Sequence, residues 1–483
     1  MTAPRISIPR PVQLVIDDVG WREGWDLSAR GGPWRAGVSR LLGPADYHAI
    51  ANIGQALGIR PQAAMVLCEW DTENVCAQFP TTTQHGAAWD NGSRIGPWAD
   101  EAAEVLAERA EHIELALHGV GHEHWEDGER FRAEWFGRDP SEIWDSGVLR
   151  SHAHCFRQIL DQHRLGPDWG HSFPRSFVPC AFRFYWNNND AQSTGALMHS
   201  LGVRYCSTPF STCCFLSGEP ERPDGGFDHQ LVVLDRGESG VPWNTFAAVP
   251  EQLPTTSICG CHWPNVLMED PAANDEAVKA WVAYLRQIEA SGDGMLAKNM
   301  AETVSQWLYR SFADFSADGL RGTLDTAGVP TYAKLNRLAE TVVVKVPLEA
   351  GQHVSGVRTR GCRAVACWEA EGWGYVALRP ERLRAEFELE LGRQQMPLIV
   401  LRSGTYDVLD LMAEGRTAVR LRIRVYGRQL VDLRLPFTMG TVESSNPDLI
   451  VRGIDNRPGA PDSAIVLEGR DIQGEEGEIT IKL

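Results

Sequence analysis

The stretch VQLVIDDVG, residues 12–20, decides how the first part of the chain is interpreted. Its short, continuous apolar run is typical of a strand that is buried on both faces of a parallel sheet. Two adjacent carboxylates, Asp17 and Asp18, follow at once, where buried charge is costly unless a metal ion or a hydrogen-bond network receives it. A simple turn is the alternative, because Asp-Asp-x-Gly also suits turn chemistry.

Strand-length apolar runs alternate with helical segments from this stretch up to about Pro330. Helical spacing at 45–57 precedes a second apolar run at 63–68. Helical spacing at 100–112 precedes a third apolar run at 113–117. This alternation predicts βα units around a mainly parallel sheet, and repetition around a closed sheet gives a barrel-like domain. In such a domain the chemistry lies at the C-terminal ends of the strands.

The pattern changes after about Pro330, where long helices stop and period-two alternation begins. AEFELEL at 385–391 places its apolar residues on one face, and VRLRIRV at 419–425 places three arginines on one face. Several short amphipathic strands predict a mainly antiparallel β-sandwich over residues 331–483. The arginine face would be a binding stripe or, as is commoner, a solvated strand face.

Composition and charge restrict the classes of partner. The 483 residues carry a net charge of −18, which argues against nucleic acid and against an anionic membrane surface. No apolar run approaches the roughly 18 residues of a membrane span, and we find no secretory signal. Eleven scattered cysteines favour reduced thiols. We therefore expect a cytoplasmic protein with a small-molecule or saccharide substrate, no nucleic-acid or membrane partner, and possible homo-oligomers.

The second motif is HGVGHEH, residues 118–124. His118 and His122 are four residues apart and would meet on one face of a helical turn, a common way to hold one metal ion. Intervening glycines permit a tight turn after the preceding strand. A polar loop with surface histidines is the alternative, and His124 would be a ligand, a supporting group or simply exposed.

Two later motifs complete the set. In SICGCHWP, residues 257–264, His262 ends an apparent strand, where a general acid or base could lie, although an ordinary loop histidine is the alternative. Residues 177–179 lead into an aromatic and amide-rich loop of the kind that usually holds sugars, or into an unremarkable turn. Asp71, which follows the second apolar run, is a candidate supporting group.

Together and in this order, the four motifs resemble those of the NodB-like polysaccharide deacetylases and their wider glycoside hydrolase/deacetylase superfamily. The resemblance covers about residues 10–300. It implies an α/β fold, with a distorted (β/α) barrel as the catalytic domain over residues 1–330 and a β-sandwich accessory domain over residues 331–483. It implies that Asp17 is the catalytic base and that His262 is the catalytic acid. It also implies three metal ligands, namely Asp18, His118 and His122.

The resemblance also implies the chemistry. One carboxylate and two imidazoles would hold a divalent metal ion, with Zn as the first choice and Co, Ni, Fe or Mn as alternatives. The expected activity is removal of an acetyl or similar acyl group from an N-acetylated sugar or saccharide precursor. Hydrolysis of another carbon–nitrogen or a glycosidic bond, and a non-catalytic carbohydrate-binding scaffold, are the alternatives. The sequence departs from the family pattern at Val178 and Cys180, which flank Pro179, and at Glu123 after the second histidine.

Overall fold

The computed structural model describes residues 5–23, 38, 40–139, 142–189, 193–401, 404–456 and 462–483. Strands account for 38% of the structure and helices for 25%. The chain divides into two compact units, one formed by Gln13–Tyr284 and the other by Met1–Val12 together with Leu285–Leu483. The predicted domain boundary at residue 330 falls within the second unit and stays a prediction. None of the helices in the described ranges is long and apolar enough to cross a membrane.

The elements of the first unit are mostly short. Its strands are β1 (Arg10–Val19), β2 (Gln62–Val66), β3 (Glu114–Gly119), β4 (His124–Glu126), β5 (Glu129–Phe131), β6 (Gly137–Asp139), β7 (Glu142–Ile143), β8 (Ser176–Phe177), β9 (Phe184–Asn187), β10 (Tyr205–Thr208), β11 (Cys213–Ser217), β12 (Gly225–Asp228), β13 (Leu231–Asp235) and β14 (Ile258–His262). Its helices are α1 (Pro44–Leu57), α2 (Pro97–Glu108), α3 (Ser146–Gln162) and α4 (Thr194–Ser200), together with the first part of α5 (Asn274–Ala290), because the unit ends at Tyr284.

The main sheet of this unit has the strand order β12-β13-β10-β8-β3-β2-β1-β14. All neighbours pair in parallel except β12 and β13, which are antiparallel. Within the described residues no pairing joins β12 to β14, so the sheet is not a closed barrel. The predicted (β/α) barrel is therefore wrong, and the chain is mostly β.

The physical reason lies in the connections, because a (β/α) barrel needs a helix after each strand. Four short strands, β4 to β7, precede α3 between β3 and β8, and the described segment between β13 and β14 contains no helix. Hydrophobic periodicity located the parallel strands but did not reveal these irregular connections. Short loop strands of this kind carry too few residues for a clear period-two signal.

Strand β1 lies in the interior of the sheet and positions the Asp-Asp pair. Its apolar residues Val12, Leu14, Val15 and Ile16 are fully buried. It pairs with β2 on one side and β14 on the other, which explains why its apolar run is continuous rather than alternating. In the β14 pairing, Asp17 lies opposite His262, so two of the predicted site residues are register neighbours.

The second unit is built mostly from antiparallel strands. Its strands are β15 (Gly294–Leu296), β16 (Asp314–Asp318), β17 (Arg321–Asp325), β18 (Val342–Pro347), β19 (His353–Arg360), β20 (Cys362–Ala370), β21 (Trp373–Pro380), β22 (Arg384–Gly392), β23 (Ile399–Leu401), β24 (Asp407–Glu414), β25 (Ala418–Val425), β26 (Arg428–Arg434), β27 (Thr441–Ser444), β28 (Leu449–Asn456), β29 (Asp462–Gly469) and β30 (Glu475–Lys482). Its helices are α6 (Met300–Phe312) and α7 (Thr331–Leu335).

These strands form sheets with the orders β16-β17-β22-β19, β18-β21-β20-β23-β26-β29-β28 and β24-β25-β30-β27. Three described sheets replace the two facing sheets of the predicted sandwich, and β20 and β23 pair in parallel. The arginine face of β25 is matched by carboxylates, as the contacts of Arg422 with Glu340 and of Arg424 with Asp407 show. These partners agree with a strand face that is neutralised within the protein.

Candidate metal centre

Asp18 lies at the carboxyl end of β1, at the same edge of the parallel sheet as the end of β3. Its backbone has a φ of 61°, in the left-handed region that an Asp tolerates better than most residues. The side chain is buried, and its Oδ1 atom lies 3.3 Å from His118 Nε2 and 3.7 Å from His122 Nε2. The structure therefore brings together all three of the predicted metal ligands.

His118 presents one defined ring nitrogen to this cluster. Its Nδ1–H donates to the backbone carbonyl of Val178 at 2.7 Å, which leaves the lone pair on Nε2 facing Asp18. A hydrogen bond of this kind on the distal nitrogen is typical of metal-binding histidines. Val178 follows β8, so the residue that departs from the family pattern contributes only its carbonyl group here.

His122 is reached by a turn that is not helical, contrary to the predicted arrangement. His118 belongs to β3, and His122 follows in a bend with a φ of 70°. Gly121 makes this bend possible, because a Cβ atom there would lie 1.9 Å from the carbonyl oxygen of Thr82. The two imidazoles are therefore brought together by a bend in which Gly121 lies against the backbone of Thr82, and not by a helical turn.

The fully buried carboxylate of Glu134 holds the turn between His118 and His122. Its oxygens accept the backbone N–H of Val120 at 3.0–3.1 Å and that of His122 at 2.9 Å. Its Oε1 atom also lies 2.9 Å from Nδ1 of His152, which contacts Thr81 through Nε2. Glu134 thus satisfies backbone donors that would otherwise be unpaired in the interior, and it fixes the path from His118 to His122.

The donor set can accommodate a metal ion. With bonds of about 2.0–2.3 Å, a tetrahedral site separates its ligand atoms by roughly 3.3–3.6 Å, close to the distances from Asp18 to the two imidazoles. Within the described ranges, Asp18 Oδ1 makes no well-formed hydrogen bond although it is buried. A buried group formed by His118, His122 and Cys180, with ligand atoms within 4.8 Å of one another, can hold a metal ion. The prediction that this chain has a group able to hold a metal ion is confirmed, whereas the identity of the metal and the ligand role of Asp18 stay predictions.

The pKa shifts of Asp18 and His122 agree with a metal-binding role, and that of His118 runs the other way. Burial raises the pKa of Asp18, but the contact with His118 and the nearby His122 and His262 lower it, so that the net pKa lies well below its usual value. Burial lowers the pKa of His122 to about 3, against the opposing effect of Asp18. Burial also acts to lower the pKa of His118, but its contact with Asp18 outweighs this and the net pKa is raised. Ionised Asp18 and neutral His122 are in the protonation states that metal ligands require, whereas the raised pKa of His118 means that a metal ion would have to displace its proton.

Asp17, the neighbour of Asp18 in the chain, contacts a buried arginine. Arg236, the residue after β13, donates from Nη1 to Oδ1 at 2.9 Å, and its Nη2 lies 2.8 Å from Oδ2. Both side chains are buried, so the guanidinium offsets the charge of the carboxylate. Gly260 provides the space, because a Cβ atom there would lie 2.2 Å from Nη2 of Arg236.

His262 ends β14 beside Asp17. Its backbone N–H donates to Asn265 Oδ1 at 2.8 Å, and its ring centroid lies 6.0 Å from that of Phe182 and 6.5 Å from that of Trp243. Its Nδ1 atom is buried and has no hydrogen-bond partner in the described part of the chain. One ring nitrogen of His262 is therefore left unpaired among the residues that the structure describes.

The two ambiguous candidates lie outside the cluster. The His124 ring stacks on Trp144 with centroids 3.9 Å apart. Asp71 accepts from backbone N–H groups, including those of Val75 and Cys76, and from the indole N–H of Trp89, so its carboxylate organises the loop after β2. His124 therefore packs against an aromatic ring, and Asp71 holds a loop through hydrogen bonds.

Three residues of the site were missed by sequence reasoning, namely Glu134, Cys180 and Arg236. Glu134 lies 12 residues after His122, and Arg236 lies 219 residues after Asp17, so no local spacing marks either of them. In the sequence, Cys180 is marked only by its departure from the family pattern beside Pro179. Burial raises the pKa of its thiol well above the usual value, and the charges of Glu134 and Asp18 add to that effect.

No protein family, no curated protein and no solved structure matches this chain. The resemblance to NodB-like deacetylases therefore stays a prediction that rests on the four motifs.

Proposed function

We propose that this chain is a metal-dependent hydrolase that removes an acetyl or similar acyl group from an N-acylated sugar or saccharide precursor. The observation that carries the proposal is the convergence of Asp18 Oδ1 on His118 Nε2 at 3.3 Å and His122 Nε2 at 3.7 Å in a buried site. These three residues would hold a divalent ion, with Zn as the first choice. Such an ion would act as a Lewis acid toward water and toward the substrate carbonyl group.

Asp17 is the proposed base. It adjoins the ligand Asp18 in the chain but is turned toward Arg236, whose guanidinium contacts both carboxylate oxygens. This contact orients the carboxylate and keeps its charge compensated in the interior. Each carboxylate oxygen has a second lone-pair direction, so Asp17 can still accept the proton of the attacking water.

His262 is the proposed acid. It lies opposite Asp17 in the pairing of β1 with β14, and Phe182 and Trp243 flank its ring. A protonated imidazole at this position would donate its proton to the departing amine or alkoxide. Base and acid on adjacent strands would then act on the same bond.

The arrangement favours acyl hydrolysis over glycosidic cleavage. Glycosidases normally place two carboxyl groups on either side of the scissile bond, one of them protonated. Here Asp17 is paired with Arg236 and Asp18 faces two imidazoles, so neither carboxyl group is in the environment of a proton donor.

Metal content and acetate release together test the proposal. The wild-type protein should bind about one divalent ion per chain and release acetate from an N-acetyl sugar. His118→Ala should lose both properties, whereas His154→Ala, which alters an exposed histidine on α3, should keep both. Asp17→Asn should keep the metal and lose acetate release. A wild-type protein that binds no metal after reconstitution would refute the proposed function.

A further inference from the structure

Cys180 lies against the proposed metal ligands. It follows Pro179 after β8, is fully buried, and has its Sγ atom within 4.8 Å of ligand nitrogens of both His118 and His122. Its thiol donates to the backbone carbonyl of His118 at 3.1 Å. That carbonyl also accepts a hydrogen bond from the indole N–H of Trp135. It would therefore still be hydrogen-bonded if the thiol of Cys180 moved to bind a metal ion.

The surrounding backbone makes room for the sulfur. A Cβ atom on Gly119 would lie 2.9 Å from Cys180 Sγ, closer than side-chain atoms approach in real proteins. After Cys180, Ala181 and Phe182 both have positive φ values, 51° and 56°. Two consecutive non-glycine residues in the left-handed region are strained, and such strain persists where the surrounding structure over-determines a functional geometry.

We propose that Cys180 is a fourth protein ligand of the metal ion, beside Asp18, His118 and His122. The inference rests on the proposed function, because it requires the metal site. On binding, the S–H bond breaks, the proton leaves to solvent, and a bond forms between the thiolate sulfur and the metal. A tetrahedral shell with one sulfur needs ligand separations of roughly 3.6 Å. The distances from the sulfur to the two imidazole nitrogens, which are at most 4.8 Å, would therefore shorten by up to about 1.2 Å.

A thiolate changes which metals the site prefers. A soft thiolate ligand favours Zn over Mn, because Mn prefers oxygen ligands such as carboxylates. Four protein ligands also close a tetrahedral shell, whereas catalytic zinc sites keep one position open. With Cys180 bound, a metal ion at this site would be held by protein groups alone, and hydrolysis would require a position for water besides Asp18, His118, His122 and Cys180.

Reconstitution of the whole chain with Co²⁺ tests the inference without measuring activity. A cobalt–thiolate bond produces near-ultraviolet charge-transfer absorption, which imidazole and carboxylate ligands do not. The wild-type protein should show this absorption at about one Co²⁺ per chain. Cys180→Ser should bind Co²⁺ and lack it, and Cys206→Ser, a buried control on β10, should keep it.

The outcomes separate this inference from the proposed function. Stoichiometric Co²⁺ binding without charge-transfer absorption in the wild-type protein would refute the role of Cys180 and leave the metal site intact. Charge-transfer absorption that survives in Cys180→Ser would also overturn it, because another cysteine would then be the ligand. No bound Co²⁺ would refute both proposals.

Metal competition gives a second readout if Cys180→Ser is poorly folded. Cys180→Ala, which adds no polar atom to the interior, should lower the ratio of Zn to Mn affinity by at least about tenfold. An unchanged ratio in a folded Cys180→Ala protein would contradict thiolate ligation.

Discussion

Replacing Glu134 by Gln should disturb the metal site without touching a ligand. The carboxylate accepts the backbone N–H groups of Val120 and His122 and contacts Nδ1 of His152, all within 3.1 Å. Gln has nearly the same shape, but it carries no charge and its NH₂ group would face one of these donors. Each charge-assisted hydrogen bond contributes about 1.5–3 kcal/mol, so a net destabilisation of about 2–4 kcal/mol is expected.

Metal affinity should fall as well, because Glu134 fixes the turn that carries His122. Residues that orient metal ligands typically change affinity by about 10–100-fold when they are replaced. Chemical denaturation of the metal-free protein would measure the first effect, and competition with a chelator would measure the second. Glu129→Gln, at an exposed position on β5, is the matched control and should change neither quantity.

Two results would refute this reasoning. A Glu134→Gln protein with wild-type stability would show that the buried hydrogen bonds are not what holds the turn. A protein that is destabilised but keeps its metal affinity would show that the turn does not position His122.

Three further changes test separate parts of the site. Gly119→Ala should reduce metal binding and stability together, because its Cβ atom would lie 2.3 Å from Glu134 Oε2; unchanged metal content would contradict this. Arg236→Met should cost about 3–5 kcal/mol of unfolding free energy by leaving Asp17 buried without its partner, and a smaller loss by denaturant titration would mean that water reaches the carboxylate. Burial lowers the pKa of His124 to about 3, so the unfolded chain binds its proton first as pH falls from 6.5 toward 3. The free energy of unfolding should therefore fall as the pH is lowered through that window, and it should fall less steeply in His124→Phe. An equal dependence on pH in both proteins would show that His124 does not cause the loss of stability.

Local sequence patterns carried much of the information about individual elements. The apolar run at 12–16 lies within β1, and the helical spacing at 45–57 corresponds to α1, which ends at Gly58 with a φ of 64°. These elements were visible because burial on both faces, helical periodicity and glycine C-caps depend on residues that are close in the chain.

The sequence by itself also placed the Asp-Asp pair, the two histidines and His262 at strand ends, since each motif directly follows an apolar run. Whether these ends meet depends on strand order, and only the tertiary structure pairs β1 with β14 and sets Asp17 opposite His262. The open sheet, in place of the predicted barrel, likewise follows from long-range pairings. Glu134, Cys180 and Arg236 join the site through contacts across the fold, because packing and charge compensation act between residues that no sequence spacing relates.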